Sequence, residues 1–444
     1  MKRFKNQNFL ILFFISLSLI LPVYSYKPLG TYAHSTALVD NKLYVIGGID
    51  LSAVSVTFKN VFYLDLGTSF KVESPSWVDL STDSSTPFYS GWTTAAVGGS
   101  DNKIIYLFGG VQYDVSHTDA YSGFTWQFDT TSNTWSQPSF SGTEPTRRRE
   151  MDAVSDANGK IYIFSGIYDT VLGASVNKRI ADMIIVGTID KDYAYGSTTG
   201  IPLGRIDYTA TILSNGVIVY IGGWDGGMLS YSSLSTYDTT TDTWANVTAS
   251  GTSSLETRYG HSAVLTTDGR IIVYGGLNFN GYTPSPILIV LDTNTFKWSS
   301  PSTSGSPEAE PVIYHSADIY DKYMIIAFGN LTSTTTDPTG PSSQIYILDV
   351  DKYNWISSYT SSATTTTPDK PNGTSGPYTS TTSGSDSGGL SSKAIGIIVA
   401  VCVGSVGVCI LIIAALCIGF KKFVKKPKDT PQPYRPPQHQ KWAA

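Results

Sequence analysis

KLYVIGG, residues 42–48, returns along the chain as KIIYLFGG (103–110), KIYIFSG (160–166), VIVYIGG (217–223), RIIVYGG (270–276) and YMIIAFGN (323–330). The six copies sit 53 to 62 residues apart, and self-similarity at a period near fifty is the mark of propeller blades. Upstream of each copy lies a small-residue strand: AHSTALV, WTTAAV, MDAVS, DYTATIL, GHSAVL and YHSADI. Downstream a third strand ends in Asp, with a Trp six residues later: Asp129 and Trp135, Asp238 and Trp244, Asp292 and Trp298, Asp349 and Trp355. Asp65 and Trp77 form a stretched version, and the third copy has no Trp.

These pieces predict four-stranded antiparallel blades. The apolar, β-branched second strand suits burial on both faces. Its terminal Gly-Gly suits a sharp turn or a close backbone approach. DTTSNTW, DTTTDTW and DTNTFKW read as hairpin turns from strand three to strand four. The large, rigid Trp is placed to wedge between neighbouring blades. One blade cannot bury both its faces, so the blades must close into a ring. The fold expected is all-β, a six-bladed propeller over residues 26–358, followed by one C-terminal transmembrane α-helix.

The Gly-Gly after an apolar strand, the Tyr/Phe/Leu-Asp step and the Trp together resemble the kelch-repeat family. The resemblance covers about residues 30–358, six copies in register. The third copy departs with Ser165-Gly166, and the sixth reads Gly329-Asn330.

Both ends of the chain address it to a membrane. Lys2, Arg3 and Lys5 precede an apolar run from Phe9 to Leu21 and the small-residue site Val23-Tyr24-Ser25. That order is a secretory signal peptide, residues 1–25, cleaved after Ser25. A retained signal anchor is the other reading, but 13 apolar residues are short for a span. From Ala394 to Phe420 no residue is charged, and 27 residues make a helix of roughly 40 Å, enough to cross a bilayer. Lys421, Lys422, Lys425, Lys426 and Lys428 follow at once, which places residues 421–444 in the cytoplasm. The expected topology is type I, single-pass, in the plasma membrane or endomembrane system.

Residues 26–393 carry 20 basic and 34 acidic side chains, a net of −14, which argues against nucleic acid or anionic lipid as the outer ligand. The tail, at +6, suits anionic inner-leaflet lipid. Its Pro433-Tyr434-Arg435-Pro436-Pro437 is either a polyproline ligand for a proline-reading domain or a spacer. The three cysteines, Cys402, Cys409 and Cys417, all lie in the span, so the secreted part has no disulfide and must rely on its core. Cys417, near the cytoplasmic end, is a candidate for palmitoylation or a small apolar residue packed in lipid. Gly396, Ala400 and Gly404, four apart, form a small-residue face for helix dimerisation. Between propeller and span, residues 359–393 are Ser/Thr-rich and cannot bury enough surface to fold, so they read as an O-glycosylated stalk. Sequons at Asn246, Asn330 and Asn372 support an extracytoplasmic position.

Chemistry is sparse. The kelch family includes secreted copper oxidases similar to galactose oxidase, whose radical site needs a Tyr cross-linked to a Cys. An ectodomain without Cys cannot form it. His34, His261 and His315 recur at one strand-one position, which marks them as structural rather than metal ligands. No cofactor is expected. For binding, Trp224 beside Asp225 on a blade-face loop is placed to stack on a sugar ring and accept its hydroxyl hydrogens, ordinary loop packing being the alternative. Arg147, Arg205 and Arg258 precede strand one in copies three, four and five. In some kelch propellers arginines at the matching position line the opening and capture acidic ligands, and the resemblance implies the same here. A guanidinium fork grips a carboxylate with two hydrogen bonds. Structural pairing with acidic neighbours is the competing role.

The expectation is a non-enzymatic cell-surface receptor, adhesion protein or scaffold that engages a protein or glycan through the propeller face. The alternatives are a carbohydrate-active ecto-enzyme without the copper-radical site and a structural cell-wall or polarity component. The low-Cys, Ser/Thr-stalked design is similar to fungal surface kelch proteins.

Overall fold

A computed structural model describes residues 26–50, 56–57, 59–81, 86–113 and 123–361. The chain divides into two units, Met1–Thr365 and Thr366–Ala444, and every described residue belongs to the first. The expected signal peptide, the apolar run 394–420, Cys417, the Gly396/Ala400/Gly404 residues and the basic tail lie outside the described residues. Among those described, no helix is long and apolar enough to cross a membrane, and the sole helical piece is the 3-10 turn Thr170–Leu172.

Each repeat folds as a sheet of four antiparallel strands, and six such sheets occur among the described residues. The second strands are Lys42–Ile46, Ile104–Phe108, Lys160–Phe164, Val217–Ile221, Arg270–Tyr274 and Tyr323–Ala327. In each, all residues but the first are buried, as the unbroken apolar pattern requires of a strand covered on both faces. The sixth sheet gains a fifth, parallel strand, Ser304–Gly305.

The first strands are innermost: Ser35–Val39, Thr94–Gly98, Ala153–Ser155, Thr209–Ile212, Ser262–Leu265 and Ser316–Tyr320. Each touches its counterparts in the sheets before and after, and the sixth touches the first, so the ring closes. The core is divided accordingly into six apolar clusters, each filled from two neighbouring sheets. Leu43 and Phe62 of the first sheet meet Ile325 and Ile347 of the sixth in one of them. This is a β-propeller.

The outer Trp wedges as expected. Trp244 of the fourth sheet lies 4.8 Å from Phe164 of the third, and Trp298 of the fifth lies 4.9 Å from Tyr231 and donates its indole N–H to the Tyr231 carbonyl. In the third sheet Tyr193 pairs with Val186 where Trp135 pairs with Phe128, so a tyrosine takes the wedge position. The sixth copy is offset by one residue from the sequence alignment. Phe328, at φ +60°, fills the first glycine position and Gly329 the second, so Asn330 lies one residue beyond the pair.

The second glycine position serves a recurring purpose. Its backbone N–H donates to a carbonyl of the next sheet in all six cases: Gly48 to Ser90, Gly110 to Arg148, Gly166 to Arg205, Gly223 to Arg258, Gly276 to Val312 and Gly329 to Thr31. The last of these spans the seam between the sixth sheet and the first. A further clasp lies there. Ser358–Tyr359 pairs with Phe70–Lys71, Tyr359 stacks on Phe70 at 5.1 Å, and its hydroxyl donates to the Leu66 carbonyl. The folded unit therefore runs a few residues past the expected boundary at 358, to Ser361.

Candidate binding face and central cavity

First and second strands are antiparallel, so the start of each inner strand and the Gly-Gly turn share one end of the ring. At that end a residue two positions ahead of each inner strand, three in the third sheet, is left-handed: Ala33, Trp92, Glu150, Asp207, Gly260 and Tyr314, with φ between +53° and +64°. Five backbone hydrogen bonds link these positions around the opening: Trp92 to Ala33, Ala33 to Tyr314, Tyr314 to Gly260, Gly260 to Asp207 and Asp207 to Glu150. Between Trp92 and Glu150 the side chain of Arg149 fills the gap. Its guanidinium lies 5.6 Å over the Trp92 ring and pairs with Glu150 and Asp169.

Behind this ring lies a cavity of about 210 Å³, lined from all six sheets by residues at or just ahead of the start of the inner strand. Its lining includes Glu150, Asp152 and Asp207 but no lysine or arginine. Trp92 and Tyr314 meet edge to face across it at 4.5 Å. The Tyr314 hydroxyl donates to Asp207 at 3.3 Å. Enclosure raises the carboxyl of Asp207 to about 7, against the opposing pull of the Arg149 charge. Asp152 is raised to about 6 by burial and in lesser part by the charge of Asp318, although the amides of Ala210 and Ala153 donate to it. Asp318, whose partner is the Thr36 hydroxyl at 2.7 Å, is also raised to about 6 by burial.

The three histidines are structural fittings of the wall. His34, His261 and His315 share a hydrogen bond between Nε2 and a hydroxyl of the preceding sheet: Ser316 at 3.0 Å, Thr209 at 3.1 Å and Ser262 at 2.7 Å. Burial lowers all three, His34 and His315 to about 3, so they are neutral. Among the described residues no group of three or more His, Cys, Asp or Glu could hold a metal ion.

The arginines singled out in the sequence do not line this cavity. Arg205 and Arg258 are 4% and 0% exposed. Arg258 donates to the carbonyls of Ile287, Pro286 and Gly275, and Arg205 to the Ser235 hydroxyl. Their structural counterpart in the third sheet is Arg148 rather than Arg147, because Arg148 supplies the carbonyl that accepts the Gly110 N–H. It is buried and ion-paired with Asp182. Arg148 and Arg258 stitch the end of strand two to the start of strand three in their own sheet, and Arg205 reaches strand three alone. Arg147 is half-buried and donates to the Gly110 carbonyl at 2.9 Å.

Trp224 is half-buried at the mouth end, bridged to Ile206, and stacks at 6.1 Å on Phe279, which is 70% exposed. The backbone carbonyl of Asp225 accepts from Arg179, tying the fourth-sheet loop to the third-sheet loop. Five of the eight exposed large apolar side chains among the described residues sit on segments at this same end: Leu29, Val171, Val176, Leu203 and Phe279. Of the sequons, Asn246 is exposed on an outer strand, whereas Asn330 is buried with its side-chain oxygen accepting the Gly340 N–H, so a glycan there would require that strand to open. Asn372 lies outside the described residues.

Sequence reasoning passed over Trp92, Glu150, Asp207 and Tyr314 because their types differ from copy to copy. The available signal was positional: Trp92, Asp207 and Tyr314 open their small-residue segments, and Glu150 stands directly ahead of its own.

A family profile described as the KLHDC2/KLHL20/DRC7 Kelch-repeats domain matches residues 33–276, more than half of the chain. Similar curated proteins are Kelch domain-containing protein 3 of Rattus norvegicus, 24% identical over 271 residues, and of Homo sapiens, 24% over 263. Each match covers 58% of this chain and 63% of the relative, so the chain spans less than two thirds of the length of the curated relatives it matches.

Proposed function

Because the chain belongs to the kelch-repeat family, we propose that it is a six-bladed propeller acting as a binding scaffold, held outside a membrane by the span at 394–420, and that it engages a protein or glycan through the mouth end of the ring. The observation that carries this reading is that five of the eight exposed large apolar side chains among the described residues sit on segments at that end, Phe279 among them stacked on Trp224. Exposed apolar groups that cluster beside a cavity mark partner sites. Fixed loops on a rigid ring also place those groups with little ordering cost on binding. In this arrangement Asn246 is the glycosylation site the folded sheet leaves accessible, and Trp224 and Asp225 belong to the partner-facing loops.

The test is a capture experiment with the detergent-solubilised full-length chain on a glycan panel and on cell-surface proteins. Phe279→Ala is expected to reduce retention of the captured ligand roughly tenfold, as for an apolar anchor in an interface. Ile189→Ala, at an exposed apolar side chain on the turn at the opposite end, is the comparison. Equal effects of the two substitutions, or none from Phe279→Ala, would sink the reading.

A further inference from the structure

The polarity of the opening says more about the partner than the fold does. The arginines at the strand-one approaches are drawn into the sheets, and what remains facing the cavity is acidic and aromatic: Glu150, Asp152 and Asp207 with Trp92 and Tyr314. We propose that the mouth of the propeller receives a lysine or arginine side chain of a protein partner, with Asp207 as its counter-charge and the Trp92–Tyr314 pair as its aromatic wall. The proposal rests on the mouth end being the binding face and specifies what that face selects.

Three observations converge on a cation. The cavity is lined by three carboxyl residues and by no lysine or arginine, and its three histidines are neutral fittings bonded to neighbouring hydroxyls. With Glu150 paired to Arg149, Asp207 and Asp152 remain without a cationic partner in the lining, and low-dielectric walls favour a cation beside them. The second observation is the way Arg149 sits at the rim, over the Trp92 ring and paired with Glu150 and Asp169. The protein's own guanidinium thus shows the binding mode available there, a cation on an aromatic face with carboxylates at its edge. Arg149 takes Glu150 and Asp169 and leaves Asp207, whose side chain has the Tyr314 hydroxyl as its hydrogen-bond partner among the described residues. Third, a charge that stays in a narrow opening without a full partner is disfavoured, and the raised proton affinity of Asp207 agrees with that geometry.

The surroundings favour a side chain on a protein over a free cation. The opening leads into about 210 Å³, room for a side-chain terminus, and Phe279 and Leu203 lie exposed at the same end of the ring, 70% and 72% accessible. A basic residue flanked by apolar ones would satisfy both parts, the head in the opening and its neighbours on the rim.

The experiment uses the full-length chain in detergent over an array of nine-residue peptides that differ at the central position only, Lys, Arg, Gln or Glu, flanked by Leu and Phe. Peptides centred on Lys or Arg are expected to bind at least about tenfold more tightly than those centred on Gln or Glu, the usual difference made by a charge-assisted hydrogen bond. Asp207→Asn, which keeps the side-chain shape, is expected to erase that preference, and Trp92→Leu to weaken it. The unchanged melting temperature of a second variant, Tyr314→Phe, guards against simple misfolding, and it should retain part of the preference. Equal or tighter binding of Glu-centred peptides, an unaltered preference in Asp207→Asn, or binding of no peptide would overturn the proposal. Loss of ligand capture in Phe279→Ala alongside full capture in Asp207→Asn would leave the face in place and remove the cation.

Discussion

Arg205 and Asp207 are two residues apart, at the same end of the same sheet, and they have opposite fates. The arginine is 4% exposed and bonded within the blade, while the aspartate faces the central cavity. The same contrast repeats at Arg148 and Glu150, while at Arg258 and Gly260 the backbone geometry recurs without a side chain at the second position. The approach to each inner strand therefore has two registers. One position lends its carbonyl to the Gly-Gly of the preceding sheet and turns its side chain into the fold. The other, left-handed in φ, turns its side chain to the opening. Charge at the first position stabilises the ring; at the second, Glu150 pairs with Arg149 and Asp207 lines the cavity.

The comparison breaks most visibly at Arg258. Its guanidinium satisfies the carbonyls of Ile287, Pro286 and Gly275 in a fully buried setting. Arg258→Ala would leave those acceptors without a partner and a void beside them, a loss of about 3 kcal/mol or more. The midpoint of denaturant unfolding, followed by tryptophan fluorescence, reads it directly, and a change below about 1 kcal/mol would contradict a structural arginine.

Gly222→Ala attacks the same clamp from the other side. A Cβ there would stand 2.5 Å from the Arg258 carbonyl oxygen and 2.7 Å from the His261 ring, at φ +60°. The combined backbone strain and displacement of the neighbouring sheet should cost about 2 kcal/mol in the same assay.

The smallest effect belongs to the second register and has the opposite sign. Asp207 holds its proton more tightly folded than unfolded, with a folded value of about 7. The stability it contributes is present at low pH and is lost as pH rises from the ordinary carboxylate range through about 7. Asp207→Asn should therefore match the parent near pH 4 and exceed it at pH 8, by about 1–2 kcal/mol after allowance for solvent reaching the opening. Melting temperatures across that range would show two curves that diverge with pH, and parallel curves would mean that Asp207 is not held out of water.

Much of the ring was legible in the sequence because the second strands, buried on both faces, leave an unbroken apolar run with a Gly-Gly stop. The Trp wedge was legible for similar reasons. Where one residue type replaces another of similar bulk, the pattern hides the position. Tyr193 does the work of the missing Trp, and Phe328 shifts the sixth copy by one residue. The site was harder to read. Arg147, Arg148 and Arg149 are consecutive, and only the path of the backbone separates a loop contact, a buried clamp and a rim cation. The opening itself is written in residues that share a backbone conformation and no chemistry, which a search for recurring side chains cannot find.

The clasp at the chain's end has a mechanical meaning. Each of the six large sheets is built from one continuous stretch of chain, so the pairing that joins the late part of the ring to its start is the clasp itself. A pull on the chain beyond Ser361 would reach the Tyr359–Phe70 stack, the Ser358–Lys71 pairing and the bond from the Val72 N–H to the Ser357 carbonyl before it reached any strand of the sixth sheet. The clasp would act as a strain relief, taking tension at the seam so that the spacing of the six residues around the opening is held while the chain beyond Ser361 is under load.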